Sequence, residues 1–277
     1  MMTWEQAVDW YRSSAENTQG VVFNYFDLPV VDAANRFWHS EEFAACLSMV
    51  RAAGGHGKIL DLGAGNGIAS YAWAMEGFEV TALEPDRSDT VGCGAIQNLA
   101  EECGLNISVV AETSHPLPFP DAAFDVVYAR QVLHHLPNLK MGIAELHRLL
   151  KPRGLLLSTR DHVVRNREEL DIFLSAHALH RHYGGENAFS LEEYRDAFRQ
   201  AGFRDLTELG HFESVINFYP GSEADRKAWI AERSREKWGV AGALIANSDF
   251  GRKLLVRRLQ EIHFSAGSLV TYLAKKS

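Results

Sequence analysis

A doubly wound α/β fold with a mostly parallel sheet is the class that this sequence of 277 residues predicts, and three observations carry it. From Lys58 onward, short apolar runs alternate with segments of helical periodicity, the pattern of strands joined by crossover helices. The runs are β-branched or leucine-rich and bounded by Gly, Pro or Asp, as strands buried on both faces require. The first run leads straight into a glycine-rich turn and then a helix, the kind of connection at which open α/β sheets bind ligands.

Ahead of the first run, Thr3–Met49 is aromatic-rich and helical in pattern. Asp27, Leu28 and Pro29 separate an early helix from one expected over Val31–Val50. Strands are expected at Lys58–Leu62, Phe78–Leu83, Ile107–Ala111, Phe124–Ala129 and Gly154–Ser158. Helices are expected between them at Ile68–Glu76, Asp89–Cys103 and Leu139–Leu150, the last with Leu139, Ile143, Leu146 and Leu150 on one face. Gly77, Gly104 and the turn Lys151–Gly154 are read as their ends. Leu191–Ala201 is an amphipathic helix followed by a strand-like run from Leu206 to Phe218. Helical segments Ser222–Trp238 and Asp249–His263 then precede an alternating run, Ser268–Leu273, suited to a last strand. The expected organisation is a helical N-terminal cap over 1–50, an α/β core over 51–221 and 264–277, and a helical insertion over 222–263 that serves as lid or dimer contact.

Composition bounds the function. Hydrophobic residues at 46% and charged ones at 23% describe an ordinary globular protein, not a disordered chain. A formal charge of −8 gives no general attraction for a phosphate backbone, so no nucleic-acid partner is expected. Cys46, Cys93 and Cys103 are odd in number and lack CxxC spacing, which fits a reducing cytosol better than a disulfide framework. No run of apolar residues is long enough to predict a membrane span.

The strongest chemical signal is Ile59–Gly67, ILDLGAGNG, a strand entering a turn with Gly63, Gly65 and Gly67. A dinucleotide fingerprint needs a glycine three places after Gly65, and Ile68 stands there, which weakens a nicotinamide dehydrogenase reading. Asp61 precedes the glycines and would repel phosphate, yet it suits a cationic ammonium. Glu84, followed by Pro85, closes the second strand 23 positions after Asp61, where an acid can accept both hydroxyls of a ribose. Singly, the turn would also serve as a tight connection, Asp61 as a helix cap and Glu84 as a surface acid. Together they describe a site for an adenosine with a positively charged amino-acid arm.

With these residues, LPFPDAAFDVVYARQVLHHL at 117–136 and LHRLLKPRGLLLS at 146–158, the sequence resembles the class I S-adenosylmethionine-dependent methyltransferases, in particular those of the ubiquinone and menaquinone biosynthesis type. The resemblance spans about 100 residues. It implies a Rossmann-like methyltransferase fold of seven strands in the order 3-2-1-4-5-7-6, with S-adenosylmethionine as cofactor and S-adenosylhomocysteine as product. It also places Asp61, Leu62, Gly63, Ala64, Gly65 and Gly67 at the methionine end and Glu84 with Pro85 at the ribose. Glu112, Thr113 and Ser114 would lie by the adenine, and Arg130 with Gln131 under the methionine. Thr113 departs from the family pattern, which usually has Asp there.

The expected acceptor is a small organic molecule. His134 and His135 follow the fourth strand on the ligand-binding side. His134 is a candidate to meet the acceptor, and His135 to orient its own loop. Asp161 and His162 follow the fifth strand, and His177 and His180 would share a helix face. That set permits a metal-assisted variant through His162, His177 and His180, although no metal is assigned from spacing alone. Tyr25 is the cap aromatic expected to close over an apolar acceptor. A non-catalytic module that binds the cofactor or its product is the reading from another class.

Overall fold

The structure, a computed structural model, describes residues 1–112 and 115–277. The N-terminal region holds α1 (Trp4–Ser13), α2 (Thr18–Phe23), α3 (Val30–Trp38) and α4 (Glu41–Ala52). The alternating core follows as β1 (Lys58–Leu62), α5 (Ile68–Met75), β2 (Glu79–Leu83), α6 (Cys93–Cys103), β3 (Ile107–Val110), β4 (Phe124–Arg130), α7 (Leu139–Leu149) and β5 (Leu150–Val163). Beyond it come α8 (Arg167–Ala176), α9 (His180–Tyr183), α10 (Leu191–Ala201), β6 (Phe203–Leu209), α11 (Val215–Phe218), α12 (Glu223–Ala246), α13 (Asp249–Ile262) and β7 (Ser268–Lys276).

The seven strands form one sheet in the order β3-β2-β1-β4-β5-β7-β6, as the resemblance implies. β3, β2, β1, β4 and β5 run parallel, and β7 lies antiparallel between β5 and β6. The inner parallel strands β1 and β4 are buried because helices cover both faces, while β3 at the edge is only half-buried. On one face Phe37, Phe43, Trp73 and Tyr128 pack together, which makes α3 and α4 part of the sheet's own cover. On the other face Leu146, Tyr194, Phe198 and Tyr272 do the same beneath α7 and α10. A third, smaller core of Phe212, Ile230, Leu255 and Leu259 joins α12 to α13. Among the described residues no helix is long and apolar enough to cross a membrane.

Four expectations about elements need correction. The single helix over Val31–Val50 is two helices, because Ser40 caps α4 by accepting from the Phe43 amide at 3.0 Å. Lys151–Gly154 does not simply end a helix. β5 already starts at Leu150, which pairs with Phe124 before a register shift. The strand-like run to Phe218 stops at Leu209, since the Ser214 hydroxyl accepts from the Ile216 amide and starts the short helix α11. The helix expected to end at Trp238 continues to Ala246 after a break at Trp238 and Gly239.

Parallel pairing sets the site. Asp61 pairs with Ala82 and Tyr128, so the ends of β1, β2 and β4 lie at one sheet edge. β5 reaches the same edge, and pairing with β7 carries it on through Asp161 and His162.

Candidate active site

The glycine turn is folded back onto β2, with the Gly63 and Ala64 amides donating to the Leu83 carbonyl at 2.8 and 3.2 Å. Gly63 has φ +63°, and a Cβ on it would come within 2.7 Å of Val132 Cγ2. Gly65 has φ +55°, and a Cβ there would meet no described residue within 4 Å, so the turn presents bare backbone on an open side. Leu62 and Ala64 are buried, while Pro85 is exposed.

Two acids flank that opening. Asp61 is buried and accepts the Ser70 hydroxyl at 2.6 Å. Glu84 accepts the Gly65 amide at 2.8 Å through Oε2 and the Asp86 amide at 2.9 Å through Oε1. Burial outweighs these bonds and pushes each carboxyl up to about 7, with Glu84 adding to the rise at Asp61. A cation brought between them would restore both to the ionised form. A cleft of about 150 Å³ opens alongside, lined by Arg87, Cys93, Gly94, Val109 and Ala111. Glu112 follows β3, whereas the expected adenine contacts Thr113 and Ser114 lie outside the described residues. A wider open groove, about 510 Å³ between Leu28 and Glu102, touches none of the expected site residues that are described.

At the tip of β4, Arg130 is held by Glu42 of α4 at 2.8 and 3.3 Å and donates to its neighbour's Gln131 Oε1 at 2.9 Å. The Glu42 carboxylate, fully buried, also lies 4.0 Å from Arg160 of β5. Burial pulls both guanidinium groups down, but Glu42 wins at Arg130, which ends raised, while Arg160 ends lowered. Arg160 spends one amino group on the Ile216 and Tyr219 carbonyls. Tyr25 is fully buried on this side of the site, stacked on Tyr219 and edge-on to Phe37, with Arg130 over its ring. Its carbonyl accepts from Asn66 of the glycine turn at 2.8 Å, which ties the cap to the turn. Glu42 and Arg160 were missed by sequence reasoning. Their signal is a charged residue inside an apolar helix face and inside an apolar strand.

Around the last residues of β5, and not after the strand as expected for Asp161 and His162, a third group assembles. His134 is buried, and Asp161 Oδ1 receives both its backbone amide at 3.2 Å and its Nδ1 at 3.0 Å. Its Nε2 faces Glu186 Oε2 at 3.6 Å, and His135 Nε2 faces the same oxygen at 3.8 Å. His177 Nδ1 lies 3.8 Å from the other oxygen, Oε1. Burial opposes charge on His134, yet Asp161 and Glu186 outweigh it and hold its pKa at about 8. Burial lowers His135 and His177, and with His134 nearby takes His162 down to about 3. Burial would raise Glu186, but the surrounding imidazoles, His134 foremost, bring it down to about 2.

His177 and His180 do not share a helix face as expected. His177 caps the end of α8 and the chain turns before His180 starts α9. Among the described residues, the ligating side chains that converge are instead His134, His135 and Glu186. Glu186 was not singled out from the sequence. Gly184 and Gly185, both at positive φ, turn the chain inward just before it, and that paired glycine was the available signal.

The cap spans both ends of this edge. Glu5 of α1 accepts from the Ser88 and Thr90 hydroxyls at 2.8 and 3.2 Å, beside the glycine-turn end. Met2 donates to the His182 carbonyl at 3.0 Å, and Trp4 meets Tyr183 at 5.4 Å, beside the histidine end.

Against known proteins, residues 60–158 match a family described as a methyltransferase domain. The chain is 27% identical to an uncharacterized methyltransferase, YcgJ of Bacillus subtilis, over 62% of its own length and 69% of the relative's. It is 32% identical to the ubiquinone biosynthesis O-methyltransferase of Rickettsia conorii, over 36% of its length and 33% of that protein's. In structure it is similar to the geranyl diphosphate C-methyltransferase of Streptomyces coelicolor, solved with Mg2+, geranyl diphosphate and S-adenosyl-L-homocysteine. The TM-score is 0.60 at 12% identity, with 99% of this chain and 97% of the other covered.

Proposed function

Since the chain belongs to the class I S-adenosylmethionine-dependent methyltransferases, we propose that it methylates a small organic acceptor bearing an ionisable oxygen. The carrying observation is the pair of buried carboxylates, Asp61 and Glu84, on either side of the bare Gly65 backbone. The cofactor supplies an electrophilic methyl on a sulfonium. Asp61 would hold its ammonium and Glu84 its ribose hydroxyls, each through lone pairs left beside the bonds already made. Arg130 and Gln131 line the methionine side, and the cleft by Arg87 and Ala111 suits the adenine.

The acceptor would lie next along the edge, over His134 and His162 and beneath the cap. A floor of imidazoles around one carboxylate suits an oxygen that must lose or share a proton, and suits an inert hydrocarbon poorly. Tyr25 keeps the cap seated on the glycine turn, which excludes water from the methionine side. A second copy of the chain is the further partner we propose, supported by Val240, Leu244, Phe250 and Leu254, large apolar side chains exposed on α12 and α13. Light scattering that reports a monomer would remove it. The three free cysteines support a cytosolic setting.

Calorimetry with S-adenosylhomocysteine tests the main reading. Binding is expected for the wild type, with NADH inert. Replacing Asp61 by Asn and Glu84 by Gln together should abolish binding, whereas unchanged affinity in that double variant would overturn the proposal. A panel of phenols, carboxylic acids and amines with methyl-labelled cofactor then reads the acceptor class.

A further inference from the structure

The histidine end has a tautomer logic that the methyl donor does not explain. His135 Nδ1 meets the Gly185 carbonyl at 2.9 Å and His162 Nδ1 meets the Gly267 carbonyl at 2.7 Å. A carbonyl only accepts, so Nδ1 carries the proton in both and Nε2 is left as a bare lone pair. His134 Nδ1 donates in the same way to Asp161, which also receives the Ser158 hydroxyl. Acceptors that hold the far ring nitrogen in this way are what orient the histidine ligands of metal sites.

The bare Nε2 of His135 points at Glu186 Oε2, lone pair toward lone pair, and His134 Nε2, which would release its proton on binding an ion, points at that same oxygen. Their separations, 3.8 Å for His135 and 3.6 Å for His134, are too long for hydrogen bonds. They are near the distance of about 3.4 Å between two ligands of one tetrahedral zinc ion. All three ligating atoms fall within 4.8 Å of one another, so a movement of about 1 Å would bring them onto a common ion.

We propose that His134 Nε2, His135 Nε2 and the Glu186 carboxylate hold a divalent ion of the zinc or cobalt kind. Two imidazoles and one carboxylate leave a coordination position open, the mark of a site that takes a further ligand. An acceptor hydroxyl or carboxylate is the ligand that the open position would take. That use of the ion deepens the methyl-transfer reading and rests on it; the ion site itself does not.

The test uses the untagged full chain, stripped with chelator and titrated with Zn2+ and Co2+, with S-adenosylhomocysteine binding measured alongside. One ion per chain and a visible Co2+ absorption of a nitrogen-ligated site are expected. Binding should weaken at least about tenfold in His135→Asn and Glu186→Gln, and should weaken about 10- to 100-fold in Asp161→Asn, the orienting residue. Retained S-adenosylhomocysteine affinity in each variant verifies its fold. Absence of stoichiometric uptake by the wild type, or uptake unchanged in both ligand variants, overturns the site. A wild type that takes up the ion but not S-adenosylhomocysteine keeps the site and defeats the methyl-transfer reading instead.

Discussion

The two ends of one sheet edge handle buried charge in opposite ways. At the glycine turn, Asp61 and Glu84 form no ion pair among the described residues, and burial raises both to about 7. At the histidine end, Glu186 lies among three imidazoles and is lowered to about 2. The first end is complementary to an organic cation; the second has the Nε2 lone pairs of His135 and His162 to share. Between them Glu42 is buried against Arg130 and Arg160, the reverse imbalance of one acid to two guanidinium groups. An open α/β sheet thus carries three charge environments along one edge, each set by which helix or loop folds back over a strand tip.

The largest expected effect breaks the join between the ends. Glu42→Gln leaves two buried guanidinium groups without their anion and should cost about 3–5 kcal/mol in urea unfolding. Asp61→Asn should do the opposite in the cofactor-free protein above neutral pH, where an ionised Asp61 is itself a burden on the fold. Movement of stability in the same direction by both variants would mean that the two environments do not differ in the sign of their charge imbalance.

The next effect is a pH dependence with a definite sign. Asp61 and Glu84 have ordinary values of 3.8 and 4.5 and folded values of about 7. Between about 4 and about 7 the folded chain therefore binds more protons than the unfolded one, so their contribution to stability is present at low pH and is lost as pH rises. This contribution should amount to a few kcal/mol, read as falling unfolding free energy across that window. Saturating S-adenosylhomocysteine, by placing an ammonium at Asp61, should flatten the slope, and Asp61→Asn should remove much of it. Urea unfolding at several pH values, with and without that ligand, measures both.

Ligand affinity then sharpens the comparison. Asp61→Asn should weaken S-adenosylhomocysteine about 10- to 100-fold, the worth of a charge-assisted hydrogen bond. Glu186→Gln should leave it nearly unchanged, because Glu186 belongs to the other end. Calorimetry on the two variants in parallel decides it, and an equal loss in both would merge the two ends into one site.

What was legible in the sequence follows the same division. The parallel strands and the glycine turn are local: buried runs such as KILDL and the positive-φ turn at Gly63 and Gly65 depend on neighbours within a few positions. The convergence at Glu42 was not legible, since it joins Arg130 to a helix 88 positions earlier. Nor was Glu186, whose inward direction comes from two glycines and from the cap closing over the loop. His177 and His180 show the limit of periodicity: their spacing suits a helix, but the chain turns between them. The end of β5 was also hidden, because its extension to Val163 depends on antiparallel pairing with a strand more than 100 residues later.

The smallest effect concerns how the cap joins the two ends. Its clasp at the glycine-turn end is Glu5 on the Ser88 and Thr90 hydroxyls; at the other end it is the Met2 amide on His182. Glu5→Gln keeps the length of the side chain but exchanges charged acceptors for a neutral one, which should cost about 0.5–1.5 kcal/mol of local closure. Global unfolding should hardly register it, because α1 contributes only Ala7 and Val8 to the buried interior. Amide exchange should register it, as faster exchange through Trp4–Ser13 with the β1–β2 core unaltered. Faster exchange that extends to His180–Tyr183 would mean that α1 couples the two ends mechanically. Faster exchange confined to α1 would mean that the cap merely rests on both.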